Sequence, residues 1–159
     1  MEYVPVLNMK EANLQRTKYL LSRYHQFAAQ STSAVDIQVS RAVLDILGYH
    51  FLHRDVFTQE DRDLLDRSGA FLVPAIDGLL EVIRNYPYEI VEIPYPVLYH
   101  FYFSQDGKAV DLIQLKNRLK EENLFLEEEA LRSWLDRGES MFSALLFPNQ
   151  LVAAISAWN

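Results

Sequence analysis

Residues 98–122 read LYHFYFSQDGKAVDLIQLKNRLKEE, and the fold class turns on how the middle of this stretch is taken. Asp106-Gly107 stands between the β-prone run Leu98 to Phe103 and a second run, Ala109 to Ile113. Asp-Gly between two such runs signals a two-residue hairpin, because both turn positions need a positive φ that Asp tolerates and Gly adopts freely. The same residues also carry a helical stripe. Leu112, Leu115 and Leu119 are interleaved with Lys116, Arg118, Lys120 and Glu121, the pattern of an amphipathic helix over about 108–122 capped by Ser104 or Asp106. The helical reading is preferred, and it makes the chain mainly α. An α+β arrangement built around Asp106-Gly107 is the alternative.

Immediately upstream, Pro87, Pro94 and Pro96 each remove a backbone donor, so no long helix is expected between Tyr86 and Phe103. An extended or hairpin segment near 88–104 is expected in its place. The stretch from Tyr86 to Phe103 holds five of the nine tyrosines, a concentration that singles it out as a contact surface. Tyrosine offers large area at low entropy cost and keeps a polar tip, which enriches it at interfaces. In an extended strand Tyr95, Val97, Tyr99, Phe101 and Phe103 share one face, leaving Leu98, His100 and Tyr102 on the other. Tyr95, Tyr99 and Tyr102 are therefore the expected partner-binding anchors, and the plainer alternative is an aromatic connector that lids a helical core.

The rest of the chain reads as helix. Asn8 and Glu11 mark the start of a helix over about 9–29, with Leu14, Leu21, Tyr24 and Ala28 on its apolar side. Ser33 and Asp36 repeat the capping arrangement ahead of the stripe Val39, Val43, Ile46 and Leu47, and this helix ends at Gly48 or continues through His53. Thr58 and Asp61 open a short solvated helix that Gly69 stops. A further helix is expected over 70–86, with Pro74 in its first turn, and another from Glu127 to Gly138. Met141 to Phe147 and the segment from Pro148 to Trp158 suggest two short terminal helices. The expectation is one domain over 1–159 with about six helices.

Charge and composition narrow the function classes. Fifteen Lys plus Arg against 22 Asp plus Glu give a net charge of −7, opposite in sign to a phosphate-binding surface, so nucleic acid is a poor default partner and a basic protein surface a better one. With no cysteine there is no thiolate metal site, disulfide framework or thiol nucleophile. No segment approaches the roughly 18 apolar residues of a membrane span, and the N-terminus lacks a basic leader, so a cytoplasmic protein is expected.

Motifs for chemistry are missing. The five glycines are scattered singly, which excludes a Walker loop, a dinucleotide fingerprint and a nucleophile elbow. His50 and His53, three residues apart, share a face only if their helix continues, and a metal would need a third ligand from Asp55, His25 or His100. Glu60, Asp61, Asp63 and Asp66 read as a solvated helix face, and Glu127 to Glu129 as first-turn acids that suit the helix dipole. No cofactor or metal is expected. The sequence favours an acidic helical protein-binding module, such as an adaptor, inhibitor or immunity-type antagonist, with self-association open to it. The alternative is a helical-bundle enzyme or small-ligand or metal-binding protein that uses His50, His53 or His100 beside carboxylates.

Overall fold

The computed structural model describes residues 4–32, 35–85, 94–104 and 111–147. Its first helix, α1 (Val4–Ser22), carries Pro5 in the opening turn, where a missing N–H forfeits no intrahelical bond. Helix thus begins at Val4 instead of Met9, and Asn8 lies inside it. Ser22 ends it: its hydroxyl donates to the Tyr19 carbonyl at 2.8 Å, the acceptor that the Arg23 N–H would otherwise use. Arg23 bonds to Leu20 O at 3.2 Å instead, and the chain restarts as α2 (Tyr24–Gln30). The one helix expected over 9–29 is therefore two.

Asp36, and not Ser33, caps α3 (Ile37–Phe51), its carboxylate accepting from Val39 N at 2.8 Å. Ser33 lies outside the described residues. The helix passes through buried Gly48 and ends at Phe51, after which His53 takes a φ of 66°. Thr58 and Asp61 form the capping box that their spacing predicts, at the head of α4 (Gln59–Arg84).

Gly69 does not stop α4, and the two helices expected on either side of it are one element of 26 residues. A Cβ at Gly69 would overlap the ring of Phe27, so the glycine is a notch that admits α2 against α4. Pro74 consequently falls in the helix interior, where its ring disturbs the ladder. The adjacent Ala75 N–H donates to Ser40 Oγ of α3 at 2.9 Å, which ties the two helices at the site of disturbance. Ser40 near the start of α3 meets Ala75 late in α4, and the connector 52–58 joins their other ends, so α3 and α4 run antiparallel.

The expected extended segment is helical where it is described. Pro94 and Pro96 occupy the first turn of α5 (Pro94–Leu98), positions with no intrahelical donor to lose, and the chain continues as a π-helical turn over Tyr99–Phe103. Residues 86–93, with Tyr86, Pro87 and Tyr88, lie outside the described residues, as does Asp106-Gly107. Among the described residues no strand forms, and the fold is mainly α with seven α-helices. The helix α6 (Leu112–Glu121) is capped by Asp111, which accepts from Gln114 N at 2.9 Å, and not by Ser104 or Asp106.

Glu128 and Glu129 occupy the first turn of α7 (Glu128–Leu146), as the dipole argument predicts. Gly138 again is no stop. A Cβ there would lie 2.7 Å from Leu98 Cγ, so this glycine lets α5 approach α7, and Met141 to Leu146 continue the same helix. The residues from Pro148 onward lie outside the described set. Every helix contributes to one apolar cluster, with Leu20, Phe27, Leu65, Ile76, Leu98 and Phe142 among its buried members.

Candidate functional site

The α3 helix is apolar on more than one side. Leu44, Leu47 and Phe51 face the core with Ser40, whereas Val39 and Ile46, which spacing assigned to the core stripe, are exposed. Ile46 is 69% exposed and Tyr49 is 77% exposed, one turn apart on the outer surface. Beside them a groove of about 260 Å³ runs between α3 and α4, floored by Val43, Ile46 and Leu64 and edged by His50, Glu60 and Arg67. Phe71, one turn beyond Arg67 on α4, is also exposed. Ile46 and Tyr49 thus make an exposed apolar pair, with Ile46 on a groove that Glu60 and Arg67 also line, and apolar surface edged by charge is what binding surfaces present when it extends over a patch.

The foundation of this face is a buried ionic network that spacing did not reveal. Asp61, expected on a solvated helix face, is fully buried against Arg16 of α1. Arg16 Nε and Nη2 donate to Asp61 Oδ2 at 3.1 and 2.9 Å, and Nη1 donates to Asn13 Oδ1 at 2.6 Å. Arg16 Nη2 also reaches Val56 O at 3.0 Å, and Arg54 Nη2 donates to Asp61 Oδ1 at 3.1 Å. The guanidinium of Arg16 lies 4.3 Å from the centre of the Phe51 ring. Burial pulls the Arg16 guanidinium below its ordinary pKa, and its hydrogen bond and attraction to Asp61 oppose that shift. The network fixes the connector 52–58, and with it the geometry at one end of the α3–α4 groove.

The three tyrosines expected as anchors do not form one outward set. Tyr95 and Tyr99 are half-buried and stacked, with ring centres 5.8 Å apart, and the Arg84 guanidinium lies 5.7 Å from the Tyr95 ring. Burial raises the Tyr95 phenol above its ordinary pKa. Tyr102 is a core residue whose hydroxyl donates to the buried Glu139 of α7. The π-turn, whose i→i+5 bonds close a wider ring than those of an α-helix, sends Tyr99 and Tyr102 in different directions.

The histidines are likewise dispersed. His50 edges the α3–α4 groove, His53 stands in the connector beyond the end of α3, and His100 Nε2 meets Glu122 Oε1 at 2.9 Å. Among the described residues no group of three or more His, Asp or Glu side chains is placed to hold a metal ion. Buried His25 Nε2 has no hydrogen-bond partner among those residues.

Compared with known proteins, the chain matches no family model, no curated protein and no solved structure. Functional inference therefore rests on the side chains themselves.

Proposed function

We propose that residues 1–159 form one acidic helical protein-binding module, an adaptor, inhibitor or immunity-type antagonist, that takes its partner on the α3–α4 face. The observation that carries this reading is the exposure of Ile46 and Tyr49 beside an apolar groove. Burying those two side chains on association removes apolar area from water without rebuilding the core. A two-helix groove of this shape suits an amphipathic helix that inserts apolar residues at three- and four-residue steps. The net charge of −7 favours a partner that is basic around its apolar centre, chiefly by speeding encounter. Tyr95 and Tyr99 offer a second, smaller aromatic contact. No described helix is long and apolar enough to cross a membrane, and the lack of cysteine suits a reducing cytoplasm.

The test is site-specific photo-crosslinking in the cells that make the protein, with the reactive group placed at Ile46 or Tyr49. A discrete protein adduct at those positions, abolished when Leu64→Asp is added, supports the reading. No discrete adduct at either position, or an adduct that survives Leu64→Asp, overturns it.

A further inference from the structure

A second groove, which shares no lining residue with the first, has the chemistry of a small-ligand site. It measures about 530 Å³ and lies where the π-turn, α6 and α7 meet Lys18 of α1. That volume is within the roughly 300–1,000 Å³ typical of sites for small organic molecules. One wall is apolar, built from Phe101, Leu112, Ile113 and Leu135, and Ile113 stands exposed at the mouth. Glu139 forms the polar end.

The Glu139 side chain is 4% exposed, and its two carboxylate oxygens are served unequally. Oε2 accepts the Tyr102 hydroxyl. Among the described residues Oε1 has only the Lys18 ammonium, 3.8 Å away, an ion-pair distance too long for a hydrogen bond, and Lys18 itself is 47% exposed. A carboxylate taken out of water and left with one loose counterion is poorly compensated. Burial accordingly raises its pKa, with Tyr102 and Lys18 opposing. The other charges of the groove do not supply a cation. Arg132 pairs with Glu128 at 3.2 Å, Asp111 caps α6, and Asp136 adds a further negative charge near Glu139.

We propose that this groove binds a small amphipathic primary amine, its ammonium on Glu139 Oε1 and its apolar body along Phe101, Leu112 and Leu135. A primary ammonium carries three donors. Glu139 Oε1 takes one, and the Tyr102 phenol oxygen, whose own proton is committed to Glu139, can accept another. The incoming cation displaces Lys18, which has solvent to return to, and supplies the counter-charge that Lys18 provides only from a distance.

The experiment titrates the full chain with 2-phenylethylamine and, separately, with 2-phenylethanol, followed by backbone amide NMR. Saturable shifts centred on Tyr102, Leu135 and Glu139 are expected for the amine and much weaker ones for the alcohol. Glu139→Gln should weaken the amine by about tenfold or more, the loss expected of a charged hydrogen bond, while Glu81→Gln, on the exposed surface of α4 and outside the groove, leaves it unchanged. Lys18→Met, a half-exposed position that leaves the core intact, should tighten binding because it removes the competing ammonium. The proposal is overturned if the amine does not saturate, if alcohol and amine bind alike, or if Lys18→Met weakens the amine. Should Glu139→Gln fail to fold, the Lys18→Met and alcohol comparisons decide alone.

Discussion

The ring of Phe27 in α2 fills the space where a Cβ on Gly69 of α4 would stand. Two opposed effects meet at this position. An alanine would favour the helix by about 0.8–1.0 kcal/mol over glycine. It would also drive a methyl group into a fully packed aromatic ring, and overpacking of that kind costs about 1–3 kcal/mol. Because Phe27 is itself buried and has no free direction to yield, the steric term should win. Gly69→Ala is expected to lower the urea midpoint, and Phe27→Leu in the same chain should recover part of the loss. A midpoint raised by Gly69→Ala would show that the glycine is an ordinary helix residue.

Asp61 stands between two arginines, Arg16 and Arg54, and accepts from both. Asp61→Asn keeps the shape but leaves two guanidinium groups facing each other, one of them fully buried. Removing one partner of a buried ion pair costs about 3–5 kcal/mol. The exposed neighbour Glu60, 3.8 Å from Arg54, provides the control, since Glu60→Gln removes a surface pair worth about 0–1 kcal/mol. Urea denaturation of the two variants should therefore separate widely. Comparable midpoints would mean that Arg16 is solvated in the folded chain.

Stability should fall with rising pH through the Glu139 carboxyl. Burial raises this group above its ordinary value of 4.5, with Asp136 adding to the shift and Tyr102 and Lys18 opposing it. The folded chain therefore holds the proton more tightly than the unfolded chain. The resulting stabilisation is fully present below the ordinary value and is lost as pH climbs through the raised one. Glu139→Gln cannot titrate, and subtracting its unfolding free energy from that of the wild type cancels the other groups. The difference should move in favour of the variant as pH rises above the ordinary value of 4.5, with a plateau above the raised folded pKa. Parallel curves for the two proteins would contradict the assignment.

The features that were legible in the sequence are those set by neighbours within one turn. The Thr58–Asp61 capping box and the acids at the head of α7 are local, and both occur where spacing puts them. The misreadings involve partners distant along the chain. Gly69 and Gly138 look like helix stops, but the residues that require them, Phe27 and Leu98, come from other helices. Asp61 looks solvated because nothing local shows that Arg16 closes over it. Pro94 and Pro96 fit a strand edge and a first helical turn equally well, and only the packing of α5 on α7 selects the helix. The candidate face was hidden in the same way. Val39, Ala42, Val43, Leu44, Ile46 and Leu47 spread over about half of the α3 circumference, a wider arc than one core-facing stripe, and periodicity alone does not say which part of it meets the core. So wide an apolar arc on a helix with one buried side was the available signal that apolar side chains are left at the surface.

The two most exposed residues on that second side, Ile46 and Tyr49, make the exposed face testable by stability alone. In a core position, trimming these side chains would create cavities costing about 2–5 kcal/mol. At the solvent-facing surface of α3 they have little to lose, and substitutions away from buried contacts usually stay within about 0.5 kcal/mol. Ile46→Ala with Tyr49→Ala should thus leave the urea midpoint nearly unchanged, and alanine's higher helix propensity offsets part of any lost packing along the groove. Leu47→Ala, one position along on the same helix but fully turned inward, should be strongly destabilising. The contrast between adjacent positions 46 and 47 reports the orientation of α3 directly. If the exposed pair costs as much as Leu47→Ala, then α3 buries both sides within its own chain, and no apolar face is left for a partner.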